Sequence, residues 1–166
     1  MGQDDNDIIF FRYAEILLNY VEALERTGNV TQATLDSTIN LLRDRVGMAH
    51  LTFSNIPEGS DLRTEIRRER RVELFFEGHR YLDIIRWREG YRLGEDLLGV
   101  NKRWLDPNKL TPGILNTLRW KFVDGEQYLL IEEGRTFIDP KHYLLSLPFT
   151  QMQRNPNLRP NNPGWD

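Results

Sequence analysis

The 166-residue sequence contains no cysteine, three histidines and three methionines. Without cysteine there are no disulfides, no thiolate metal sites and no cysteine nucleophile. His50, His79 and His142 are too scattered to form a metal-ligand motif, so no metal is expected, and no cofactor motif takes its place. No run of about 18 apolar residues occurs, which excludes a bilayer-spanning helix. The start, Met1 to Asp7, lacks the basic-then-apolar order of a secretory leader. Within it, Asp4-Asp5-Asn6-Asp7 lacks the glycine and glutamate of a calcium loop and reads as a solvated acidic end. A basic excess is missing too. The net charge is -3 and the pI about 5.7, which argues against binding to nucleic-acid backbones through counterion release. Neither G-x-S-x-G, a P-loop nor G-x-G-x-x-G is present.

What the chain has is aromatic mass and one dense arginine window. Four Trp, six Tyr and eight Phe suit a packed globular chain, and the length suits a single domain, 1–166. Residues 61–92 hold nine arginines against seven acids, while residues 1–60 hold four basic and nine acidic side chains. The helical part is expected over 12–92. Ile8 to Phe11 reads as an extended approach. Tyr13 to Arg26 then has helical periodicity, with Tyr13, Ala14, Leu17, Leu18, Val21 and Leu24 on one face. Gly28 closes that helix, and Thr31 caps a second that follows Leu35, Ile39, Leu42 and Val46 to Gly47. The two form an antiparallel hairpin similar to a tetratricopeptide unit, with Ala23, Gly28 and Ala33 where helices approach closely. One such unit cannot bury its own face. After a loop over 48–60, Asp61 caps a third helix to about Glu77. A fourth runs from Arg80 to Glu89, presenting Tyr81, Ile84, Ile85 and Arg88.

Beyond Gly94 a variable loop and β-hairpin part is expected over 93–147. Leu118–Val123, Asp124-Gly125 and Glu126–Ile131 form a strand–turn–strand signal. His142–Leu147 is a further strand candidate. Residues 148–166 are expected as coil, since 155–166 hold three prolines and four asparagines. The expected fold class is therefore mainly α: tetratricopeptide-like hairpins, a small β-hairpin and a long C-terminal coil.

In the arginine window, Leu62, Ile66, Glu69, Glu73 and Phe76 fall on one helical stripe, so two glutamates share the inward face. Three readings compete. A solvated, salt-bridged surface fits poorly with Phe75, Phe76, Tyr81 and Trp87 so close by. A glycosidase-type carboxylate pair meets the roughly 6 Å spacing of residues four apart. The surrounding arginines, however, would depress the pKa that a general acid needs. The preferred reading is a buried structural ion-pair network of Glu69, Arg70, Glu73, Glu77, Arg80, Asp83 and Arg86, in which guanidinium forks offset the cost of burying carboxylates.

At this window the sequence resembles the SusD/RagB family of outer-membrane nutrient-binding lipoproteins. The resemblance is carried by Glu69-Arg70-Arg71, Glu73-Leu74, Glu77-Gly78, Arg80-Tyr81, Asp83 and Arg86-Trp87 in register. It extends back through Arg12-Tyr13-Ala14-Glu15, Glu22-Ala23, Gly28, Asn40, Arg43, Arg45 and Gly47. Forward it reaches Leu147-Pro148, Asn155-Pro156, Leu158 and Asn161-Asn162-Pro163-Gly164-Trp165; only about 93–135 matches poorly. The resemblance implies the C-terminal region of a non-catalytic, surface-exposed lipoprotein of the outer membrane that captures oligosaccharides, or in some members peptides. It implies delivery to a TonB-dependent transporter of the SusC type, and membrane association only through an N-terminal lipid anchor that this chain does not include. The family's sugar contacts lie in loops outside the shared motifs, so none transfers by position.

Sugar capture needs exposed aromatic planes beside planar polar groups. With the motif aromatics expected to be packed, the candidates come from the variable middle. Trp104 with Arg103 stands first, in a turn-rich stretch, and Trp120 in the hairpin second; Trp165 is expected to pin the tail. The different-class alternative is a helical-repeat interaction scaffold with no small ligand.

Overall fold

The computed structural model describes residues 11–165; Ile8–Phe10 and the acidic stretch before them lie outside the described residues. The fold is mainly helical with a small three-stranded antiparallel sheet. The chain divides into two compact units, the first ending at Tyr81 and the second starting at Leu82.

In the first unit, α1 (Tyr13–Arg26) has the bounds its periodicity predicts. It buries Ala14, Leu17, Leu18 and Val21, while Tyr13 and the small residue Ala23 stay exposed. The helix ends at Gly28, whose φ of 70° lets Asn29 N–H reach back to Leu24 O at 2.9 Å. The second expected helix is two: α2 (Gln32–Asp36) and α3 (Ile39–Arg45). Thr31 caps α2, with Thr34 N–H donating to its hydroxyl. The break comes at Ser37-Thr38. There Ser37 Oγ and Thr38 Oγ1 both donate to Thr34 O, at 3.2 and 2.6 Å, drawing the backbone out of the helical path. Leu35, Ile39 and Leu42 still reach the core, but Val46 is exposed.

Asn40 ties the following loop down. Fully buried, it donates Nδ2 to Leu51 O at 3.0 Å and accepts Leu51 N–H on Oδ1 at 2.7 Å, as a neighbouring strand would. Leu51 thereby joins the core beside Ile66 and Leu74. Asp61 caps α4 (Leu62–Glu73) by accepting from Thr64 N–H, and that bond holds its carboxyl below the usual range. The helix was expected to continue to Glu77. It stops at Glu73 because Arg12 Nη2 donates to the Glu73 carbonyl, the group that Glu77 N–H would otherwise use. The chain then turns through Phe76 at φ 65°. Phe76, expected on the inward stripe, is 93% exposed, its ring 4.2 Å from that of the exposed Phe75. Helix α5 (His79–Arg86) follows and ends three residues short of Glu89.

In the second unit, α5's last turn buries Asp83 and Ile84, and Trp87 packs just beyond it. The exposed face includes Tyr81 from the preceding turn, so of the aromatics in the arginine window only Trp87 is buried. Arg88 takes the left-handed closing position, φ 60°, where glycine would be easiest. The sheet has the order β1 (Leu97–Asn101), β3 (Glu126–Glu132), β2 (Trp120–Val123). Asp124 and Gly125, both at positive φ, make the turn, setting Phe122 opposite Gln127 and Trp120 opposite Leu129. The hairpin was expected; β1 was not. The strand proposed at 142–147 does not form: Lys141–Tyr143 is a 3-10 turn and an extended, unpaired stretch follows. The segment expected as coil contains α6 (Phe149–Arg154) before it becomes irregular; a four-residue helical turn at Ile114–Thr117 precedes the hairpin. Trp165 Nε1 donates to Lys141 O and Leu144 O at 3.0 and 2.9 Å, and Asn161 Oδ1 accepts Leu147 N–H, so the tail is pinned to residues 141–147.

Candidate functional site

Two groupings carry the chemistry, one in each unit. In the first, the carboxylates along α4 meet guanidinium groups from earlier in the chain. Glu69 is 12% exposed and accepts Nε and Nη2 of Arg43 at 3.0 and 2.8 Å. Glu73, 10% exposed, takes Arg12 Nη1 and, at 2.9 Å, Arg45 Nη2. Glu77 accepts Nε and Nη2 of the same Arg12 at 2.9 and 2.8 Å. Those bonds hold the Glu77 carboxyl below the usual range and push the Arg12 guanidinium further up. The buried Arg70 donates to Asn19 Oδ1 at 2.6 Å. Arg80 is half-buried and partnered, whereas Asp83 and Arg86 belong to the second unit, where Arg86 donates Nε to Asp83 Oδ1 at 3.0 Å within the last turn of α5. Glu69 and Glu73 thus face two and three bonds from forked donors each.

The second grouping lies at the turn end of the sheet. Strand β1 ends at Asn101, whose buried side chain accepts Arg103 N–H at 3.0 Å and donates to Glu126 across the sheet. That bond starts a short 3-10 turn, Lys102–Trp104, which throws the next side chains outward. Trp104 is 71% exposed, and the Arg103 guanidinium lies 5.4 Å from its ring centre while also pairing with Glu126. Lys102 Nζ donates to Gln127 Oε1 at 3.1 Å and sits 5.2 Å from the ring centre of Trp120. Trp120 is half-buried, with Nε1 donating to Leu115 O at 3.1 Å. All three residues singled out in the sequence are therefore linked through the 102–104 turn.

Arg103 helps to line a shallow depression of about 410 Å³ together with Asn101, Lys102, Phe122, Gly125, Glu126 and Gln127, while Trp104 and Trp120 lie outside that lining and are joined to it through Arg103 and Lys102. Phe122 presents an exposed ring beside Gln127, its cross-strand partner. The arrangement combines one exposed aromatic ring with a guanidinium, a carboxylate and an amide in its lining, and the exposed Trp104 ring lies next to that guanidinium. Sequence reasoning missed Phe122, Glu126 and Gln127. The signal was present: Asp124-Gly125 as a two-residue turn fixes Phe122 and Gln127 as neighbours on one face. Asn101 and Lys102 were hidden because β1 itself was not foreseen.

Comparison with known proteins places this chain among relatives of one kind. The SusD family model matches residues 1–165. The SusD-like protein P2 of Formosa agariphila is 32% identical over 98% of this chain, and the chain covers 27% of that protein. A SusD-like carbohydrate-binding protein from Bacteroides fragilis has a TM-score of 0.71 and 32% identity, covering 90% of this chain and 28% of that one. A second SusD-like protein from Bacteroides fragilis gives 0.65 and 32% over 94% of this chain and 25% of its own. The chain thus spans about a quarter of the length of these relatives. Because that family model spans nearly the whole chain, the chain belongs to the SusD family.

Proposed function

We propose that the chain is the C-terminal region of a non-catalytic cell-surface protein that captures oligosaccharides and hands them to a TonB-dependent SusC-like transporter in the outer membrane. The observation that carries this reading is the open depression lined by Arg103, Phe122, Glu126 and Gln127, with the exposed Trp104 ring beside Arg103. Pyranose rings stack their C–H faces on aromatic planes, and their hydroxyls need paired donors and acceptors such as a guanidinium, a carboxylate and an amide. The shallow, open form suits reversible capture better than enclosure, since a capture protein must also release. Membership of the SusD family, and a relative described as carbohydrate-binding, support the ligand class. The same membership supports attachment through a lipid anchor and delivery to the transporter.

The clamped carboxylates of α4 support a binding role over hydrolysis. Affinity electrophoresis and calorimetry against a polysaccharide panel test this reading. Retardation by at least one glycan, with no reducing sugar released, is the expected result. Released reducing ends would assign a hydrolase; binding to a protein partner alone would assign a scaffold, and to peptides alone a peptide-capturing member of the family.

A further inference from the structure

The first unit contains a cleft of about 310 Å³ between the loop after α3 and α4. Glu65, Arg68, Glu69 and Val72 supply the helix wall at positions i, i+3, i+4 and i+7; Met48 and Pro57 face them from the loop. The loop is held in place before any ligand arrives. Asn40 grips Leu51 at both backbone groups, Asn55 Nδ2 donates to His50 O at 2.7 Å, and Arg43 Nη1 donates to Ala49 O at 3.1 Å. His50 is turned to Asp44, 2.6 Å away.

Two carboxylate oxygens in this cleft have no hydrogen bond from the described residues. Glu65 is 4% exposed; its Oε1 accepts from Ser60 Oγ at 2.8 Å, whereas Oε2 has only Arg68 Nη1 at 3.6 Å, beyond hydrogen-bond reach. Glu69 takes both bonds from Arg43 on Oε2, leaving Oε1. Among the described residues no fully enclosed side-chain polar atom lacks a partner, so neither oxygen is fully enclosed, and both glutamates line the cleft. A nearly buried carboxylate short of a donor is a site where a ligand donor, or water, gains most.

The charges of the lining choose the ligand. Arg43 and Arg68 balance Glu65 and Glu69, so an added net ion would find no counter-charge, whereas a zwitterion adds none. An ammonium has three donors, and carboxylates four apart on a helix lie about 6 Å apart at Cβ, close enough to share one. Arg68 is largely exposed and, among the described residues, held only by its long contact to Glu65. Its fork is free to turn onto a carboxylate. We propose that this cleft binds a zwitterionic α-amino acid with an apolar side chain: ammonium between Glu65 and Glu69, carboxylate on Arg68, side chain against Met48, Pro57 and Val72. The site is independent of the glycan reading, because it shares no residue with the sheet depression.

The test is a two-dimensional NMR titration of the full chain with L-leucine, N-acetyl-L-leucine and L-leucinamide, repeated on Arg68→Ala. Leucine is expected to give saturable shifts at Ala49, His50 and Asn55, with each blocked compound at least about tenfold weaker, the loss of one charge-assisted contact. Arg68→Ala should weaken leucine by a similar factor and leave leucinamide unchanged, which also shows that the variant's cleft is intact. No saturable shift with leucine, equal binding of all three compounds, or no effect of Arg68→Ala on leucine would each overturn the proposal.

Discussion

Replacing Glu73 by glutamine separates architecture from chemistry most clearly. The change keeps the side chain's shape and one oxygen but removes the charge that holds Arg12 and Arg45. A fully buried ion pair broken on one side costs about 3–5 kcal/mol. Here Glu73 is 10% exposed but Arg45 is 59% exposed, and Arg12 retains its bonds to Glu77. The loss reduces to weakened charge-assisted bonds from Arg12 and a discounted exposed contact from Arg45, together about 2–3 kcal/mol. Because Arg12 also closes α4 by donating to Glu73 O, a loosened Arg12 should fray that helix end as well. For a chain of this size the melting temperature should fall by roughly 5–10 °C, read by far-ultraviolet circular dichroism. Glu77→Gln, sharing Arg12 but at a more exposed site, should cost less. A Glu73→Gln melt within about 0.5 kcal/mol of the parent, the range of ordinary surface substitutions, would refute the reasoning.

Three further outcomes follow from the same contacts. Asn40→Ala strands both backbone groups of Leu51 and should destabilise by about 2–4 kcal/mol, with hydrogen exchange at the Leu51 amide rising more than the global change accounts for. Gly90→Ala would put a methyl 2.2 Å from the Phe137 ring, so Phe137 must leave its edge-on packing with Tyr143; a loss of about 1–3 kcal/mol in a tryptophan-fluorescence melt is expected. Arg12 lowers the Glu77 pKa in the folded chain, so its contribution is complete above the unfolded value of about 4.3 and disappears as pH falls through the depressed folded value. Denaturation midpoints of Glu77→Gln and parent should therefore converge below about pH 4, and a constant difference from pH 7 to 3 would contradict the assignment.

The elements that were legible in the sequence are those whose partners are local. Helix α1 shows its bounds because its apolar period and Gly28 lie in one stretch, and Asp124-Gly125 specifies its hairpin in two residues. What was hidden depends on distant partners. The end of α4 is decided by Arg12, 61 residues away, so periodicity alone carried the helix to Glu77 and turned Phe76 inward. Strand β1 pairs with β3 across about 30 residues, and its Gly99, which reads as a breaker, is where Ile131 comes within 3.1 Å of an added Cβ. The break at Ser37-Thr38 turns on two hydroxyls competing for one carbonyl. For the candidate site, Arg103 and Trp104 were visible as an aromatic-cation pair in a turn, whereas Phe122 and Gln127 needed the register of the hairpin.

The sharpest measurement sets Trp104→Ala and Glu73→Gln side by side in calorimetric titrations with a glycan that the parent binds. Removing the exposed ring should weaken affinity by about tenfold or more with an unchanged melting temperature, while Glu73→Gln should lower the melting temperature and leave affinity as it was. Glycan binding that survives loss of Trp104 but vanishes in a still-folded Glu73→Gln chain would put the ligand at the arginine-clamped carboxylates and contradict the account.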